Sequence, residues 1–172
     1  MNKFSGLKYI DAKYAYQQLG LSDLHLDKHQ AYGSFFTNAE GDYIVSYVLS
    51  NNPNFKNKIM EGLILPKGSL LSEHKNKSYQ EQFIKSFNSN DIKIKDKVEI
   101  NWKDVVHVVD STQTECSVMY TEGILHSIYG DFILVSDPET IRSYPMPIKN
   151  HPPLKPFYYA IPKSFILEIK KI

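Results

Sequence analysis

A chain of 172 residues with 20 basic and 19 acidic side chains carries a formal net charge of +1, so no overall field draws it to nucleic acid or an anionic membrane. Its single cysteine, Cys116, excludes an internal disulfide and a cysteine-built zinc cluster. No apolar run approaches a membrane span and Met1 to Ile10 has no signal-peptide stretch, which together read as a cytoplasmic location.

Residues 11–19 carry helical spacing, with Asp11 as N-cap, Ala12, Ala15, Tyr16 and Leu19 on one stripe and Gly20 at the C′ position. Two aromatic and β-branched runs, 31–37 and 42–50, flank Asn38-Ala-Glu-Gly41 and predict a hairpin, with Tyr43, Val45, Tyr47 and Leu49 sharing a face. A strand over 59–65 is closed by Pro66-Lys67-Gly68. Ser78-Tyr-Gln-Glu81 is a capping-box pattern that starts a second helix, with Tyr79, Phe83, Ile84 and Phe87 on its apolar face. Alternation at Ile92, Ile94, Val98 and Ile100 predicts one or two strands interrupted near Asp96, and β structure continues from 102 to 110.

Residues 116–121 predict another strand, and Glu122-Gly123 a bulge or turn. Gly130 stands where a type II′ two-residue hairpin needs positive φ, which pairs Tyr129 with Phe132, Ile128 with Ile133, Ser127 with Leu134 and His126 with Val135. On this reading Gly130→Val costs about 1–3 kcal/mol. Ile124, Ile128, Ile133 and Val135 on one face and Leu125, Tyr129, Phe132 and Leu134 on the other place this hairpin near the middle of a sheet or barrel. Asp137-Pro138 suits the first turn of a helix. Prolines at 145, 147, 152, 153 and 156 interrupt the pattern before β spacing resumes at 157–161 and 165–169, the last segment also fitting a helix by its period. The expected fold is α+β, predominantly an antiparallel β-sheet or partly open barrel with two short helices. It forms one domain over 1–172, within which 1–100 is an α+β portion and 101–172 a β-rich portion of the same body.

The tail presents, in order, Val105-Val-His-Val-Val109, Cys116-Ser-Val-Met-Tyr-Thr-Glu-Gly123, Gly130-Asp-Phe-Ile-Leu-Val135 and Tyr159-Ala-Ile-Pro-Lys-Ser-Phe165. This order resembles small bacterial and phage domains with a PGDY-type motif, in which a Gly-Asp-aromatic turn precedes a strand and a Tyr-x-Ile-Pro-x-x-Phe segment ends the domain. Tyr129 stands where those domains have Pro, Phe132 where they have Tyr, and residues 141–156 look like an insertion. The resemblance covers residues 105–172; it implies a compact β domain and no particular activity.

Cys116 would serve as a nucleophile only with His107 or His126 in hydrogen-bond reach and Asp104 or Asp110 orienting the imidazole. Glu115 beside it raises a thiol pKa, and a lone strand cysteine ordinarily reads as a small buried apolar group. Among histidines 25, 29, 74, 107, 126 and 151, only His25 and His29, with Asp27 between them, have metal-like spacing. That pair needs a helix, lacks the flanks of a zinc site and reads as solvated, so no metal and no cofactor are expected. Leu65-Pro-Lys-Gly-Ser69 lacks the upstream glycine of a phosphate loop and reads as a turn. Lys93, Lys95 and Lys97 read as protection of a strand edge ahead of a polyanion site. Ten lysines against six acids over 51–103, and six basic against eight acidic groups over 104–172, make a mild polarity. A single arginine, Arg142, argues against a nucleic-acid reader.

Twelve tyrosines suit a protein-binding surface, since Tyr supplies contact area at low rotamer cost. The candidate surface is Tyr144, Met146, His151, Leu154, Phe157 and Tyr158, where prolines already restrict φ and aromatic and apolar anchors interleave. The sequence therefore reads as a non-catalytic bacterial domain whose partner is another protein, with an immunity-type inhibitor of a toxin as its most concrete form. A small hydrolase-type enzyme using Cys116 or carboxylates is the alternative, and a secreted bacterial effector a third. A membrane partner is not expected, and a small-molecule ligand stays open.

Overall fold

The computed structural model describes residues 2–15, 25–48, 59–144 and 157–172. Within them two antiparallel sheets form, each made by strands far apart in the chain. One has the order β1-β3-β4-β5-β7, from β1 (Asn2–Asp11), β3 (Asp27–Thr37), β4 (Tyr43–Val48), β5 (Ile59–Leu65) and β7 (Val106–Ser111). The other has the order β11-β6-β8-β9-β10-β2, from β2 (Lys13–Ala15), β6 (Lys97–Asp104), β8 (Ser117–Ile128), β9 (Phe132–Tyr144), β10 (Tyr158–Pro162) and β11 (Ile166–Lys171). The sheets do not close into a barrel, and among the described residues there is one α-helix, α1 (Lys77–Ser89). The chain changes sheets five times, and at two of these changes a single residue makes the crossing: Ala12, between β1 and β2, and Val105, between β6 and β7.

The larger core lies on the six-stranded sheet. Val98, Ile100 and Trp102 of β6, Leu125 of β8, Ile133 and Val135 of β9, and Ile161 of β10 are fully buried there with Phe83 of α1. The indole N–H of Trp102 donates to Thr121 Oγ1 at 3.0 Å, so the largest buried side chain leaves no polar atom unpaired. Asn76, not Ser78, caps α1, its side chain accepting the Ser78 amide at 3.1 Å. Asparagine competes well for an N-cap, and here it begins the helix earlier than the capping-box reading places it. Phe83 and Phe87 face the core, while Ile84 stays 41% exposed.

Several expectations hold. The strand over Ile59–Leu65 and its closing turn appear as read, with Gly68 at φ +79°. The 38–41 turn joins β3 to β4, with Gly41 at φ +88° and Asn38 Oδ1 accepting the Glu40 and Asp42 amides. The β8–β9 hairpin is central in its sheet and pairs Ile128 with Ile133 and Ser127 with Leu134.

Others are corrected. Residues 11–15 are not helical: Asp11 ends β1, and β2 pairs Tyr14 with Tyr159 and Ala15 with Tyr158, a partner so distant in sequence that local helical spacing gives no sign of it. The rest of that expected helix lies outside the described residues. Ile92 and Ile94 belong to a turn with Asp91 and Lys95 at positive φ, and β6 starts at Lys97. Gly130 does not adopt positive φ, and a Cβ there would meet nothing within 4 Å, so no type II′ turn forms. A bulge at His126 shifts the register, and Leu125 faces Val135. Asp137 and Pro138 sit inside β9 at a second bulge opposite Gly123, with Asp137 at φ +47°. A bulge is where a strand interior tolerates a residue without an N–H.

Candidate functional site

The expected binding surface is described at its two ends. Tyr144 closes β9 and is 65% exposed. Phe157 is 50% exposed although its backbone is clamped, donating to Ala15 O at 2.7 Å and accepting from the Asp137 amide at 3.0 Å. Tyr158 is half-buried, its ring edge-on to His126 at 5.6 Å between centroids. Met146, His151 and Leu154 lie outside the described residues. Near Tyr144, the Arg142 guanidinium covers the Tyr120 ring at 3.7 Å and Ile141 is 45% exposed.

The structure does not assemble a nucleophile around Cys116. The thiol is buried among Ile44, Ile64, Val106 and Val108, and burial, reinforced by Asp42, pushes its pKa far up. His107 sits between Val106 and Val108 on the opposite face of β7, 3.7 Å from Glu61, and His126 contacts Ser127 Oγ at 2.8 Å. Asp42 is structural. Fully buried, it accepts the Lys67 amide at 2.9 Å and pairs with Lys103 at 2.7 Å, which also reaches Glu40. The 65–69 segment is thus a turn anchored by Asp42, and it precedes no helix N-terminus. His29 lies in β3 with its ring near Tyr9, and His25 precedes the strand, so no helix brings the two together. Among the described residues no group of three or more His, Cys, Asp or Glu is arranged to hold a metal. Lys93 and Lys95 are in a turn, while Lys97 lies on β6 between β8 and β11, so the lysine row guards no edge.

A cluster that the sequence does not assemble gathers where the chain changes sheets at Ala12 and Val105. Tyr14 Oη donates to Asp104 Oδ2 at 2.5 Å, and the Val105 amide donates to Asp104 Oδ1 at 2.9 Å. Burial raises the Asp104 carboxyl to about 7, against the Tyr14 hydrogen bond that favours its ionised form; Asp11 adds repulsion. Burial likewise raises Asp11 to about 6, opposed by the Ala12 amide and His29. The Tyr14 phenol is held well above its ordinary value by burial and by Asp104. Tyr14 also packs edge-on to Tyr159 at 4.6 Å and near Trp102 at 6.3 Å. A signal for Asp104 exists: Val98, Ile100, Trp102, Asp104, Val106 and Val108 keep one alternation, and the acid falls in its inward phase. Both carboxyl oxygens of Asp104 are engaged within the chain. A surface depression of about 470 Å³ lies elsewhere, between Gly6-Leu7-Lys8 and Leu70-Leu71-Ser72.

Neither family models, curated proteins nor solved structures yielded a match to this chain. No helix among the described residues is long and apolar enough to cross a membrane.

Proposed function

We propose that this chain is a non-catalytic domain that works by binding another protein, with neutralisation of a toxin as the most concrete form. The observation that carries the reading is the pair Tyr144 and Phe157, large aromatic side chains left exposed on backbone that pairs with neighbouring strands at the two ends of the proline-rich segment. An exposed ring on a fixed backbone docks at little entropic cost, and such aromatics are the anchors that interfaces favour. The resemblance of residues 105–172 to PGDY-type domains fits a compact binding module and adds no activity to it.

The test is recovery of a stoichiometric partner from the native host with the wild-type chain and with a Tyr144→Ala, Phe157→Ala variant of matched melting temperature. The reading expects the wild type to retain a partner that the variant loses. A partner held equally by both proteins, or none, removes this surface as the site.

One observation favours a second reading, a hydrolase using carboxylates: Asp11 and Asp104 are carboxyls raised into the range useful for general acid–base work. Against it stands the engagement of both Asp104 oxygens by Tyr14 and Val105. Turnover of an ester, amide or glycoside substrate that Asp104→Asn abolishes would establish the enzyme.

A further inference from the structure

Strand β1 is bonded to β3 along one edge and only partly closed along the other. On the open side the Ile10 amide donates to Ser69 O at 2.9 Å, the Leu71 amide donates to Lys8 O at 2.9 Å, and Tyr9 bridges to Leu70. These bonds fix which residues of β1 face away from β3: Lys8 and Ile10 do, and by the two-residue period of a strand so does Gly6, which lies opposite Tyr32. The ladder stops at Lys8 because the chain turns away over residues 71–75. The next rung, the N–H and C=O of Gly6, has no partner among the described residues. The depression lined by Gly6, Leu7, Lys8, Leu70, Leu71 and Ser72 opens at that point.

Side chains add a preference. Leu7 and Leu70 belong to one apolar cluster on one face of this edge. On the other face Lys8 is exposed and makes no ion pair among the described residues. An added strand antiparallel to β1 therefore meets apolar surface with alternate residues, and with the others, opposite Gly6, comes diagonally within reach of the Lys8 ammonium. A second copy of β1 does not supply this pattern: it has Lys3 and Lys8 and no acid before Asp11, so it offers no opposite charge to the Lys8 ammonium beside Gly6.

We propose that the open edge of β1 is a strand-addition site for an extended segment of another protein, one that alternates apolar with acidic residues. It lies in the five-stranded sheet, whereas Tyr144 and Phe157 flank the other, so the two readings fail separately.

The probe is a fluorescent acetyl-Val-Glu-Val-Glu-Val-amide peptide titrated into the full chain by anisotropy, with hydrogen exchange read at the Gly6 amide. Saturable binding that slows Gly6 exchange is expected. The residue opposite Gly6 directs its own amide at β1, so N-methylation of the Glu residues weakens binding about tenfold or more, while N-methylation of the Val residues does not. Lys8→Glu, with an unchanged melting temperature, weakens it about threefold. Absence of saturable binding, equal loss from both methylation patterns, or an unaffected Gly6 amide overturns the proposal. So does protection of Gly6 in concentrated, peptide-free protein that sediments as a dimer, which assigns the edge to a second copy.

Discussion

Asp104 and Asp11 hold their protons more tightly folded than unfolded, with folded values of about 7 and about 6. Unfolded carboxyls titrate near pH 4, so between about pH 4 and 7 the native state binds more protons than the unfolded one, and unfolding free energy falls as pH rises. Below that window the penalty is absent; above it, complete. We expect Asp104→Asn to gain stability relative to wild type as pH goes from 5 to 7.5 in urea titrations, and a constant difference would refute the raised carboxyl. Cys116, buried and with its pKa pushed up, should resist thiol reagents in the native protein and react on unfolding; rapid native labelling would contradict its burial. Two glycines give a sharper contrast. A Cβ on Gly33 would stand 2.4 Å from the Ser46 carbonyl oxygen, whereas Gly130 has open space. Gly33→Ala should cost about 1–3 kcal/mol and Gly130→Ala within about 0.5, measured as shifts in the denaturant midpoint.

At the scale of elements, the edge of β11 shows how a sheet ends without inviting another strand. The Ser86 hydroxyl, from α1, accepts the Ile169 amide at 2.9 Å and donates to the Ile169 carbonyl at 2.7 Å, so a helix covers what a neighbouring strand would otherwise bind. Ser86→Ala should cost about 1 kcal/mol and speed hydrogen exchange at Ile169, and unchanged exchange would deny the hydroxyl this role. What sequence conveys about elements divides along the same lines. The 59–65 strand, the β3–β4 hairpin and α1 are visible because their pattern and their punctuation are local. β2 is invisible because three residues acquire strand geometry from β10, whose pairing no local spacing encodes. The hairpin at Gly130 is legible in its rungs nearest the turn and misleading where a bulge intervenes. The acid at the inward position of the 98–108 alternation is on view, but continuous alternation conceals that the chain changes sheets there.

For the whole molecule, the two single-residue crossings, at Ala12 and Val105, are tied to each other, since Tyr14 follows the first and Asp104 precedes the second. Tyr14→Phe leaves Asp104 Oδ2 without its donor in a buried place and should cost about 1–3 kcal/mol, read from thermal or urea unfolding; a neutral result would show the crossings to be held by packing alone.

The division of strands also sets a timetable. Every strand of the five-stranded sheet lies within residues 2–111, whereas the six-stranded sheet needs β2 from near the start and then strands that end at Lys171. At about 5–20 residues per second, a ribosome takes about 3–12 s to make the last 60 of those residues. For most of that interval the nascent chain holds all the strands of one sheet, while Lys13–Ala15 waits for Tyr158–Ala160 to be made.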